Sequence, residues 1–151
     1  MTTEAGRLAI ETYWITAWGS TTPYGLSGQP FIVAAPSVRL TIIEGARRQG
    51  TIGRGQNVVN IDGTVMLSIF TDGALGDAPG NVLADAIIDL FHNKTLDAAG
   101  AVLTTPGQSA LVRFSPPELG ADSHPYTSGR FKDPPYNMIN VIAPFVRYEL
   151  R

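Results

Sequence analysis

Arg47, Arg48 and Arg54 lie close together in a stretch that also holds Gly45, Gly50, Gly53 and Gly55. A guanidinium offers a planar fork of donors, so three of them on a glycine-loosened backbone can grip phosphates or a carboxylate-lined partner surface. The bland alternative is a loop kept soluble by its charges. The segment Gly50-Thr-Ile-Gly-Arg-Gly55 also has the glycine density of a phosphate-binding loop. Such a loop must lead from a strand into a helix, so that amides at the helix start meet the anion. Here Val58, Val59 and Ile61 follow, which favour a strand, and no Gly-Lys-Ser/Thr is present. The stretch therefore reads as a link between two strands.

Other chemistry-bearing residues are scattered. His92 and His124 lie in different predicted elements, and neither has a second histidine or a carboxylate at metal-ligand spacing. Ser109, Ser115 and Ser123 lack the glycine elbow of a hydrolase nucleophile. Asp85 and Asp89 share a helix face, the solvent side of an amphipathic helix, where carboxylates are ordinarily solvated. Asp72 and Asp77 flank glycines and read as turn and cap residues. Cysteine is absent, which excludes disulfides, thiolate metal sites and cysteine nucleophiles. No catalytic, cofactor-binding or metal-binding residue is predicted, and the expectation is a protein that is not an enzyme.

The elements that must position these residues follow from periodicity. Residues 4 to 18 predict a helix ended by Gly19. Its apolar residues, among them Leu8, Ile10, Tyr13, Trp14, Ile15 and Trp18, cover more than half the wheel, wider than one core-facing stripe. Either the helix is simply well buried, or it touches something besides its own sheet; on the second reading Tyr13, Trp14 and Trp18 are candidate subunit-interface residues. Residues 19 to 36 form an extended connection. Val38, Leu40 and Ile42 alternate as a strand over 37 to 44, and a loop spans Gly45 to Gly55. A long strand follows from Asn57 to Thr71, with Asp62-Gly63 as a bulge rather than a hairpin turn. A second helix begins near Pro79, with Leu83, Ala86, Ile87, Leu90 and Phe91 on its inner face. Short strands are expected at 101 to 105 and 109 to 114 around Pro106-Gly107. Pro116 to Pro135 reads as a long loop; either its Phe131 between Arg130 and Lys132 is a further candidate interface anchor, or the loop folds back and its aromatics cover its own sheet. A last strand covers Asn137 to Leu150, placed at a sheet edge or bulged because of Pro144.

This order gives an α+β domain of 151 residues with an antiparallel or mixed sheet of about four strands and two helices on it. Length and burial scaling fit a single domain, 1–151. The formal net charge of -2 does not suit a nucleic-acid binder. No apolar run is long enough to span a bilayer and no secretory signal is visible, so a reducing cytoplasm is expected. Charged residues make up only 16% of the chain, which suits a surface partly covered by partners.

From Thr22 to Phe91 the chain resembles the tail-terminator proteins of long-tailed bacteriophages, a group catalogued as a phage-related domain of unknown function. The resemblance is carried by a first helix ending in aromatics, then Thr22-Pro23 and Gln29-Pro30-Phe31. A strand running into a loop with Arg47-Arg48 follows, then Gly63-Thr-Val-Met-Leu-Ser-Ile-Phe70. Gly73 and Gly76 lead into Asn81-Val-Leu-Ala-Asp-Ala-Ile-Ile-Asp-Leu-Phe91. The segment from Pro116 to Tyr136 is longer than the family pattern. The resemblance implies a structural virion protein, assembled as a homo-oligomeric ring of six at the head-proximal end of the tail tube. Its implied partners are the tail tube protein and a head-completion or neck protein, with genomic DNA passing through the channel without sequence-specific binding. It implies no catalytic residues, no cofactor and no membrane, and a location in the virion neck after assembly in the host cytoplasm. Arg47, Arg48 and Arg54 are then candidate contacts to the tube or the channel. Alternatives are another neck or connector protein of the stopper kind, or a small enzyme or ligand-binding domain that uses the 116–135 segment as a lid.

Overall fold

The computed structural model describes residues 3–55, 57–104, 110–116, 124–133 and 135–150. Helix α1 spans Thr3–Trp18, and the turn that ends it is closed by the Gly19 amide, which donates to the Ile15 carbonyl at φ +59°. Strands β1 (Tyr24–Gly25), β2 (Ser37–Gln49) and β3 (Val58–Asp72) follow, then a short 3-10 turn at Gly73–Leu75. Helix α2 spans Ala78–Phe91, with strands β4 (Thr95–Leu96), β5 (Val112–Phe114), β6 (Tyr126–Asp133) and β7 (Tyr136–Leu150) after it.

The seven described strands form one mixed sheet in the order β1-β2-β3-β7-β5-β4, with β6 also paired to β7. Only β1 and β2 run parallel. The α+β class is as expected, but about four strands understates the sheet. Two-residue strands such as β1 and β4 carry no periodicity to detect. The longer omission, β6, is polar and exposed along most of its length, so it lacks the alternation that marks a half-buried strand.

Both helices cover one sheet face. Val65, Leu67 and Ile69 of β3 and Ile139, Val141, Ala143 and Phe145 of β7 pack in one cluster with Ile10 and Trp14 of α1 and Ile87 and Phe91 of α2. On α2 the stripe Ala84, Ile87 and Phe91 is buried and Leu83 and Leu90 half-buried, while Ala86 is exposed rather than inward. On the far face the 19–36 connection lays Phe31 against Phe70, ring centroids 5.9 Å apart, and Tyr136 completes the group.

Strand β3 runs unbroken through Asp62-Gly63, and the irregularity belongs to its partner. Glu44 pairs with Gly63 and Arg47 with Ile61, so β2 carries the extra residue. Pro144 does not mark an edge, because β7 is interior. On its other side β7 pairs with β6 through Ile142 and with β5 from Phe145, so Pro144 sits at the hand-over. Its carbonyl, which points to that side, accepts from Ser115, and its nitrogen faces the gap where no donor is required.

One buried ion cluster links the sheet to α1. Arg147 is fully buried and donates through Nε and Nη2 to Glu44 at 2.8 and 3.1 Å and through Nη1 to Glu149 at 3.0 Å. A Cβ on Gly6 would lie 2.3 Å from Arg147 Cδ. Alanine is normally favoured over glycine inside a helix by ~1 kcal/mol. At this position the order reverses, because Arg147 is held by its partners and cannot yield. Gly6→Ala is expected to destabilise the domain by about 1–3 kcal/mol, read as a lower midpoint in urea unfolding. A variant as stable as the parent would show that the arginine moves freely.

Candidate functional site

The arginine stretch is not a loop. Strand β2 continues through Glu44 to Gln49, so Arg47 and Arg48 are strand residues facing opposite sides of the sheet. What holds them is backbone pairing to β3, which a glycine- and arginine-rich sequence does not advertise. Arg47 reaches Glu149 at 3.6 Å on the helix-covered side. Arg48 donates to both Asp62 carboxylate oxygens at 3.1 and 2.6 Å on the other side. Arg54 stands apart in the connection at the tip, fully exposed. The three do not converge on one ligand. Gly50–Gly55 joins one strand to the next, as its context requires, with no helix start facing it. Every residue from Gly45 to Gly55 is exposed, and Ile52 at the tip is 99% exposed.

The aromatic candidates divide. Tyr13, Trp14 and Trp18 are interior residues rather than surface ones. Trp14 stacks on Trp18 at 4.9 Å and lies parallel to Phe91 at 6.1 Å. The Trp18 indole donates to Thr22 Oγ1 at 3.0 Å, and the Tyr13 hydroxyl donates to the Leu90 carbonyl at 2.5 Å. Burial pushes the Tyr13 hydroxyl above its ordinary pKa, which keeps it a donor. The wide apolar face of α1 is thus largely consumed by the sheet and α2 together, with Leu8, Ile15 and Ala17 left open. These three aromatics are corrected from subunit-interface candidates to core residues. Phe131 is different: it lies on the edge strand β6 and is half exposed, as is Tyr126. The segment read as a loop from Pro116 to Pro135 therefore contains a strand, and its residues 117–123 and 134 lie outside the described residues, as does Pro106-Gly107.

His92 and His124 stack with ring centroids 4.9 Å apart, a proximity that sequence spacing hid. Among the described residues no group of three or more histidines or carboxylates is placed to hold a metal ion. Asp85 and Asp89 are exposed on α2, as expected. Two open hollows flank the β6–β7 turn. One, of about 360 Å³, lies between Asp72, Ala74 and Tyr136; the other, of about 170 Å³, lies between Asp77, Phe131 and Ile139. No described helix is long and apolar enough to cross a membrane.

The fold recurs in a solved structure. It matches this chain with a TM-score of 0.64 over 97% of this chain and 96% of the other, at 13% identity. At that identity the likeness shows the fold alone. No family model matches the chain, and no curated protein does.

Proposed function

We propose that this protein is the tail terminator of a long-tailed bacteriophage, a non-enzymatic ring subunit that ends tube growth and presents a surface to the neck. The observation that carries the reading is the β2–β3 tip. An edge strand and its connection are exposed from Gly45 to Gly55, and they end in an apolar residue with no contact of its own. Isolated domains seldom maintain so long an open edge unless a partner covers it. The element order from α1 to α2 supports the same reading, because it follows the resemblance through helix, strand, arginine segment, long strand and helix. In this role Ile52 docks on the tube, Arg54 reaches carboxylates or passing phosphates, and Arg47 and Arg48 act chiefly within the sheet. The ring leaves DNA an unspecific passage.

The test is tube capping. Purified protein added to polymerising tail tube protein of the same virus is expected to arrest growth, with a ring at one tube end in negative-stain images. Ile52→Asp is expected to abolish arrest while leaving the melting temperature of the subunit unchanged, since Ile52 contributes no buried area. Tubes that grow unchanged in the presence of the wild-type protein would overturn the reading. Binding to the head-side connector without binding to tubes would replace it with the stopper-like alternative.

A further inference from the structure

The tip that joins β2 to β3 is exposed, yet its own side chains lace it together. The Gly50 amide donates to the Val58 carbonyl at 2.7 Å and closes the hairpin. Beyond that bond, Thr51 Oγ1 accepts from the Val58 amide at 2.9 Å and donates to Asn57 Oδ1 at 3.5 Å. Asn57 Nδ2 donates to the Gly53 and Gly55 carbonyls at 3.3 and 3.4 Å. The Gln49 side chain donates to the Thr51 carbonyl at 2.7 Å. Gly55 stands at φ +92°, a conformation that a side chain would strain.

The lacing holds two side chains out into solvent. Ile52 is 99% exposed, and Arg54 is exposed two residues on. No acidic residue occurs from Gly45 to Ile61. Arg47 and Arg48 are turned to Glu149 and Asp62, and among the described residues no ion pair involves Arg54.

We propose that the tip is a preformed docking knob, clasped by Thr51 and Asn57, and that it fits a protein surface with an apolar socket beside carboxylates. The partner's identity as the tube protein rests on the terminator reading; the clasp belongs to this chain alone. Ile52 sets the class of partner, because an apolar side chain gains by entering a socket that excludes water, and a phosphate backbone has none. Arg54 sets the rim, because the complement of a guanidinium on a protein surface is a carboxylate. The clasp bears on affinity. A tip ordered before contact loses less conformational freedom on docking than a slack tip of the same composition. Thr51 and Asn57 are thus positioning residues, acting through the shape in which Ile52 and Arg54 are held.

The experiment pairs limited trypsin digestion with tube capping, both on the full chain. Trypsin cuts after arginine, and its rate follows how often the bond opens locally. The Arg54–Gly55 bond of the parent is expected to be cut slowly. Thr51→Val/Asn57→Ala is expected to be cut there at least about tenfold faster, identified by fragment mass. Its melting temperature is expected to be unchanged, since Thr51 is exposed and Asn57 only half-buried. Asn57→Ala alone replaces the double variant if the latter melts early. Against tail tube protein of the same virus, the clasp variant is expected to need about tenfold more protein for half-maximal arrest, yet to arrest fully at saturation. Arg54→Gln is expected to weaken arrest and to reduce its dependence on salt. An unchanged cleavage rate in the clasp variant overturns the clasp, and arrest at the parent's concentration overturns its part in docking. Arrest that Arg54→Gln leaves unaltered overturns the carboxylate rim. If the parent arrests no tubes, the terminator reading falls, while the cleavage rates still decide the clasp.

Discussion

Arg147→Ala is expected to lower the stability of the domain by ~3–5 kcal/mol, the usual cost of removing one partner from a buried ion pair. Arg147 has no exposed surface, and it serves Glu44 with two hydrogen bonds and Glu149 with one. Burial alone would push its guanidinium pKa down, but the hydrogen bonds to Glu44 and Glu149 hold it above the ordinary value. Without it the two carboxylates are not equally stranded. Glu149 keeps Arg47 at 3.6 Å, while Glu44 is part exposed and can recover water. The loss therefore comes mainly from the cavity and from Glu149, whose side chain is 4% exposed. Arg147→Met/Glu149→Leu removes both buried charges and keeps much of the volume. That pair is expected to be more stable than Arg147→Ala, because an apolar replacement of a buried ion pair often costs nothing. Urea unfolding of the single and paired variants measures this. A loss below ~1 kcal/mol for Arg147→Ala would mean that water replaces the guanidinium freely.

The uneven legibility of the fold has a common physical cause: the sequence reports burial, not pairing. Helix α2 is legible because a single stripe of Ala84, Ile87 and Phe91 is buried and the opposite stripe is open. The long strand β3 is legible because Val65, Leu67 and Ile69 alternate with less buried residues. The second half of β2 is not, because backbone hydrogen bonds alone make Gly45 to Gln49 a strand, and its side chains meet water. Strand β6 fails for the same reason, and a bulge further erases its period. The candidate site inherits this limit. Arg47 and Arg48 looked like one cluster because they are adjacent, but in a strand adjacent residues face opposite ways. The His92–His124 stack joins residues far apart in the chain, and no spacing rule reaches that far. Phe131 was legible as an exposed residue from its charged neighbours, whereas Ile52, the most exposed large apolar residue among those described, gave no signal within its glycines.

Trp14→Ala is expected to cost ~3–5 kcal/mol, the range for truncating a large buried aromatic. Trp14 lies where α1, α2 and the sheet meet, parallel to Trp18 and to Phe91 and edge-on to Tyr24 at 6.1 Å. Removing it takes packing from both helices at once. Among the described residues its indole nitrogen has no hydrogen-bond partner. A lone buried donor costs roughly 1–3 kcal/mol, so Trp14→Phe is expected to recover part of the lost volume term by removing that donor. The phenylalanine variant should therefore lose less than half as much stability as the alanine variant. A charge at the neighbouring Tyr13 acts in the same way, because Tyr13 is buried and ties α1 to the Leu90 carbonyl. Failure of such variants to form rings or cap tubes would follow from unfolding of the subunit, and the melting curve of the isolated chain separates that from a lost interface. A Trp14→Ala subunit that melts with the parent but no longer assembles would place this face of α1 at a subunit contact after all. A subunit that melts early, yet caps tubes while still folded, would leave the aromatics as the core and the assembly surface elsewhere on the subunit.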